Sequence, residues 1–107
     1  VPCCFAVDGD VIYTAVDDVK LKRGRQLLRL ENVARHADVC LLVDEYAEQW
    51  SRLWWVRVDG RAHVAHPGSP EHAAAVDLLT RKYHQYRAAP PRGPAIAIDV
   101  VRWRGWP

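Results

Sequence analysis

Methionine is absent from these 107 residues, so the chain does not contain its own initiator. Val1-Pro2-Cys3 already reads as the inside of a strand, and the expectation is that residues precede it. Cysteine is scarce. Cys3, Cys4 and Cys40 are an odd set without framework spacing, which excludes a disulfide scaffold and predicts free, buried thiols in a reducing compartment. No C-x-x-C is present, and His63 and His66 fall on opposite faces of a strand, so no metal site is expected. No apolar run approaches the roughly 20 residues of a membrane span. No signal-peptide pattern opens the chain, and a cytoplasmic location is the default. Charge of one sign is also lacking: the formal net charge of +2 is too small to argue for nucleic acid. There is no G-x-S-x-G, no P-loop and no paired-carboxylate site, which removes the common hydrolytic chemistries. Repeats and low-complexity tracts are missing too.

What is there suits one domain with a modest core. The organising stretch runs from Val11 to Asp44. An alternating segment, Val11–Val16, feeds a basic loop with Lys20, Lys22, Arg23 and Arg25. An amphipathic helix follows, with Leu27, Leu30, Ala34 and Ala37 at three- and four-residue intervals and Leu28 and Val33 widening the stripe. A helix N-terminus already carries partial positive charge and favours acids in its first turn. Cations crowded there make electrostatic sense around a bound anion, or else as a solvated basic face. Thr14, near the strand end that feeds this loop, has a hydroxyl that could donate to a phosphate; it is also a good strand former.

In chain order, Val1–Val7 and Val11–Val16 read as a hairpin closed by Asp8-Gly9, with positive φ at both. In the second strand Ile12, Thr14 and Val16 share a face. Val39–Val43 is a continuous apolar strand. Asp44, Glu45, Tyr46 and Glu48 make an acidic turn. Leu53–Val58 is aromatic, with Trp54, Val56 and Val58 facing one way and Trp55, Arg57 and Asp59 the other. Indoles on opposite faces suggest that both faces are covered, one by a partner subunit or a ring-shaped ligand. Asp59-Gly60 repeats the hairpin signal before Arg61–His66. Ser69-Pro70-Glu71 opens a second helix, with a stripe of Val76, Leu79, Tyr83 and Tyr86, ending near 87–89. After a proline-rich connector, Ala95–Trp103 is the last strand, with Ile96, Ile98 and Val100 on one face and Ala97, Asp99, Val101 and Trp103 on the other. The order β-β-α-β-β-β-α-β points to a mainly β, mostly antiparallel barrel.

These pieces carry a resemblance. VPCCFAVDGDVIYTAVD, the K-x-K loop with R-x-L-L-R-L-x-N-V, CLLVDEY, RLWWVRVDGRAHV, KYHQY and IAIDVVRWRGW together resemble the split β-barrel, FMN-binding proteins of the pyridoxamine 5′-phosphate oxidase (PPOX)-like family, in the branch of oxidoreductases that use the deazaflavin coenzyme F420. The resemblance implies a homodimer with the cofactor between subunits and hydride transfer to a small unsaturated substrate. FMN is the alternative cofactor, and a non-catalytic cofactor- or tetrapyrrole-binding module the alternative role. It places the phosphate-bearing part of the cofactor on Thr14, Lys20, Lys22 and Arg25, and the ring near Val43, Trp55 and Trp103. Family members begin with a helix and a further strand ahead of this segment, so an N-terminal truncation and an open barrel edge are expected.

Overall fold

The computed structural model of the chain describes residues 3–15 and 30–106. Five strands form one antiparallel sheet in the order β1-β2-β5-β4-β3. They are β1 (Phe5–Asp8), β2 (Val11–Ala15), β3 (Asp38–Glu45), β4 (Trp54–Ala65) and β5 (Ala95–Trp106). Residues 30–35 are helical. A 3-10 turn, Trp50–Arg52, precedes β4, and α1 (Pro70–Lys82) and α2 (His84–Ala88) lead to β5. The mainly β, split-barrel-like architecture is the one the sequence predicts.

Two turn signals resolve differently. Asp8 pairs with Val11, so the residues between the strands are Gly9 and Asp10 rather than Asp8 and Gly9. Gly9 has φ 58° and no described non-glycine residue has positive φ. Positive φ at the first central residue alone is the type II′ pattern. Asp59-Gly60 is not a turn at all. β4 runs through it unbroken, so the two strands expected on either side are one. A Cβ at Gly60 would lie 2.6 Å from both the Asp99 carbonyl oxygen and Ile98 Cγ2. The glycine is there for close approach to β5, at a bulge.

That bulge sets the faces of β5. Asp59 pairs with Arg102 but Gly60 pairs with Val100, leaving Val101 as the extra residue. Strict alternation puts Trp103 with Ala97 and Asp99. The inserted residue reverses the phase, and Trp103 pairs with Val58, on the face of Ile98 and Val100.

The inner face of the sheet holds Ile12, Val58, Ala62, Ile96 and Ile98, closed by Val33, with Leu30 packed alongside. Val33 is buried while Ala34 is exposed, so over residues 30–35 the inward side is marked by Val33 rather than Ala34; Leu27 and Leu28 lie outside the described residues. The outer face of β1, β2 and the start of β5 is lined by Ala6, Ala15, Ala95 and Ala97, against which Ala75 and Leu79 of α1 pack. Small side chains let the helix approach closely. Leu79 is fully buried, which contributes about 1.5–3 kcal/mol.

α1 begins as its sequence predicts. Ser69 Oγ accepts from the His72 backbone N–H at 3.1 Å, Pro70 stands at the first position, and Glu71 lies in the first turn. The helix stops at Tyr83, whose backbone is extended, so Tyr86 belongs to α2. Its buried stripe is His72, Ala75 and Leu79, rotated from the expected one; Val76 is half-buried. A ring nitrogen of His72 pairs with the Gly93 carbonyl at 2.8 Å. The break at Tyr83 aims its hydroxyl at β1. The Phe5 N–H donates to that hydroxyl at 3.1 Å, and the Phe5 carbonyl accepts from it at 3.1 Å and from Lys82 Nζ at 2.7 Å. At this point the edge expected to be open is satisfied by side chains.

Candidate functional site

Lys20, Lys22 and Arg25 lie outside the described residues. Thr14, one residue from the end of β2, is 7% exposed and pairs with Phe5 and Ile96, on the inner face. Its hydroxyl oxygen is buried and has no hydrogen-bond partner among the described residues. An unsatisfied buried hydroxyl costs about 1–3 kcal/mol, a cost that a ligand oxygen reaching this strand end would remove.

Val43, half-buried on β3, pairs with Val56, and Trp103 pairs with Val58. Cross-strand partners share a face, so Val43, Trp103 and Thr14 all belong to the inner face. Trp55 does not. It pairs with Asp44 and Trp106 and points outward. Residues that the sequence reading did not assign to the site complete the inner side. The Trp54 Nε1–H donates at 2.7 Å to Oε2 of Glu45, its cross-strand partner, on the same face as Val43 and Val56. Gly105 pairs with Val56 and leaves the face bare between Trp54 and Trp103. Alternation along β4 gave the face of Trp54; the bulge hid the faces of Trp103 and Gly105.

The outer face of the far half of the sheet is exposed. Trp55 pairs with Trp106, Arg57 with Arg104 and Asp59 with Arg102. Arg57 donates twice to Asp59 Oδ1, from Nε at 3.3 Å and from a terminal nitrogen at 3.1 Å. That carboxylate, with a lesser contribution from Cys40, holds the Arg57 guanidinium above its ordinary pKa. Arg104 lies 3.7 Å from Asp59 Oδ2, an oxygen that is buried and has no hydrogen bond among the described residues. A shallow cleft of about 370 Å³ beside this cluster is lined by Asp38, Val39, Cys40, Asp59, Gly60 and Val101. Its carboxylates do not suit an anion. All three cysteines are free, as expected, but exposed rather than buried. Cys3 and Cys4 precede β1, and Cys40 alternates onto the outer side of an edge strand.

Under α1, His63 Nε2 lies 2.6 Å from Glu71 Oε1 and Nδ1 3.5 Å from Asp99 Oδ2. Burial, then Glu71, Asp8 and Asp99, push the neighbouring Tyr13 hydroxyl above its ordinary pKa. Among the described residues no cluster of three or more His, Cys, Asp or Glu could hold a metal ion, and no helix is long and apolar enough to cross a membrane.

No family model and no curated protein matches the chain. Among solved structures, a candidate 5-nitroimidazole antibiotic resistance protein from Bacteroides thetaiotaomicron aligns with it at a TM-score of 0.61 and 16% identity. The alignment covers 98% of this chain and 66% of that one, slightly less than two thirds of its length. At that identity the likeness is one of fold, and the fold it supports is the split-barrel type.

Proposed function

We propose that this protein binds coenzyme F420 and transfers a hydride between it and a small unsaturated substrate, as a homodimer with the cofactor between subunits. The carrying observation is the Thr14 hydroxyl, buried and unpartnered on the inner face, at the strand end that feeds Lys20, Lys22 and Arg25. Thr14 would donate to a phosphate oxygen. The cations of the loop would neutralise the anionic tail, and F420 with its polyglutamate gives an extended run of cations more to bind than one phosphate would. Val43 and Trp103, with Trp54, would form an apolar wall for a planar ring. Trp55 faces the other way, so it meets the same ring only if a second copy supplies it.

When bound, such a cofactor supplies the hydride chemistry; the chain supplies orientation and a water-poor wall. FMN is the alternative cofactor for the same architecture. Binding without turnover is the alternative role. The nitroimidazole class in the name of the structural neighbour makes nitroaromatics the first substrates to try.

Titration with F420 and with FMN, read by quenching of cofactor and tryptophan fluorescence, tests the reading. Thr14→Val, and Lys22→Ala with Arg25→Ala, should each weaken binding at least tenfold with the fold intact. Unchanged affinity in both variants, or no binding of either cofactor, would overturn it. Reduced cofactor left unoxidised by nitroimidazoles, enones and quinones would favour the binding-only role. Light scattering should return twice the chain mass.

A further inference from the structure

His63 of β4 stands in one row with Ala97 of β5 and Tyr13 of β2, on the face against which α1 packs. Its two ring nitrogens meet carboxylates from different elements. Nε2 lies 2.6 Å from Oε1 of Glu71, in the first turn of α1, and Nδ1 lies 3.5 Å from Oδ2 of Asp99, on β5. An imidazolium has an N–H for each carboxylate. A neutral imidazole has one N–H and one lone pair, so it serves one carboxylate and turns the lone pair on the other. The shorter contact is the stronger, so a neutral ring keeps its proton on Nε2 and releases Asp99. A new partner is at hand. Arg61 is the cross-strand neighbour of Asp99, and its guanidinium is held by Asp38 at 3.8 Å.

The surroundings of the ring are mostly acidic. It faces Glu71 from α1, Asp99 from β5, Tyr13 from β2 and Arg61 from its own strand. Asp8 and Asp10, at the β1–β2 hairpin, stand beyond. Burial first, and then Glu71, Asp8 and Asp99, raise the Tyr13 hydroxyl above its ordinary pKa, so three carboxylates act together on this row. α1 is fastened at its far end, where Lys82 and Tyr83 hold Phe5. His63 fastens its start.

We infer that His63 is a proton-operated clamp on the start of α1: charged, it ties the first turn to β5 through Glu71 and Asp99, and neutral, it keeps only Glu71 and lets Asp99 turn to Arg61. The clamp lies on the face opposite Thr14 and does not depend on the cofactor reading. Its effect is local and small. The His63, Glu71 and Asp99 side chains are 45%, 38% and 62% exposed, and ion pairs so exposed change local opening about twofold to fivefold.

The test is hydrogen exchange of the whole chain by NMR from about pH 5 to pH 8, the range in which imidazoles titrate. Each amide's rate is divided by its unstructured rate to give a protection factor. The reporters are the His72 amide, which donates to Ser69 Oγ, and the Ala73 amide, which donates to the Ser69 carbonyl. Their protection should fall about twofold to fivefold as pH rises, with the midpoint of the His63 ring signal. The Tyr83 amide, bonded to the Leu79 carbonyl at the far end, should keep its protection. His63→Gln should abolish the pH dependence, and Asp99→Asn should remove most of it. The inference is overturned if the two reporters do not follow the His63 signal, or if Tyr83 loses protection equally. It is overturned too if the fall persists in His63→Gln, which would give the response to another group such as His72. It also falls if Asp99→Asn keeps the whole response, which would leave His63 and Glu71 as a simple surface pair. Should His63→Gln fail to fold by circular dichroism, Asp99→Asn and the titration of the parent protein still decide.

Discussion

A hydroxyl sealed into an apolar face with nothing to bond is a standing cost. Thr14 bears it, with its oxygen buried beside Ile12 and Ile96. Thr14→Val keeps the shape and removes the unsatisfied atom. It should raise the stability of the ligand-free protein by about 1 kcal/mol, or several degrees in a thermal melt, while weakening cofactor binding. Loss of stability together with loss of binding would mean that the hydroxyl is structural. Tyr13 gives a prediction of pH dependence. Its pKa is raised from 10.0, so the unfolded chain releases that proton at a lower pH than the folded one. Its contribution is fully present below pH 10 and is lost as pH rises through the higher folded value. Alkaline unfolding should therefore be shallower in Tyr13→Phe than in the parent protein, and tyrosinate absorbance should show one phenol titrating late.

At the scale of the element, the close approach at Gly60 is the most sensitive point. The atoms that an added Cβ would strike are the Asp99 carbonyl of β5 and the branched Cγ2 of buried Ile98, neither of them the far end of a flexible side chain. Gly60→Ala should cost about 1–3 kcal/mol, seen as a lower midpoint in urea with little change in slope. Gly60 also marks where sequence reading failed. Asp-Gly between apolar runs signals a hairpin, and at Gly9 there is one, a residue later than the signal suggests. At Gly60 the same dipeptide serves a contact with a strand some forty positions away, and no local pattern reports such a contact. α1 was legible because its start is encoded locally, in Ser69, Pro70 and Glu71. Its buried stripe was less so. The sheet beneath is alanine-lined, so His72 and Ala75 go inward where larger residues were expected.

At the scale of the whole molecule, large apolar side chains remain on the surface. Tyr46 is 80% and Trp50 77% exposed, both in the connection from β3 to β4. A homodimer is expected to cover them. Tyr46→Ser combined with Trp50→Ser should then halve the mass measured by light scattering while leaving the circular dichroism spectrum unchanged. Retention of the full mass would move the interface elsewhere. The candidate site was only partly legible at this scale. The sequence pointed to Thr14, Val43, Trp55 and Trp103, but which of them share a face depends on Val101, the residue without a partner in β5. Val101 is 72% exposed, and replacing it with almost any side chain should pass unnoticed. Losing its codon would be tolerated as well. Val100 and Arg102 would then be consecutive opposite the consecutive Gly60 and Asp59, so each pair would keep its face and only the bend of the bulge would go. A second inserted residue, taken up into regular pairing, is what would turn the strand end over, sending Arg102, Arg104 and Trp106 inward and Trp103 out. Over evolutionary drift, then, this corner can shorten by one position without turning the sheet inside out, whereas lengthening it by one would.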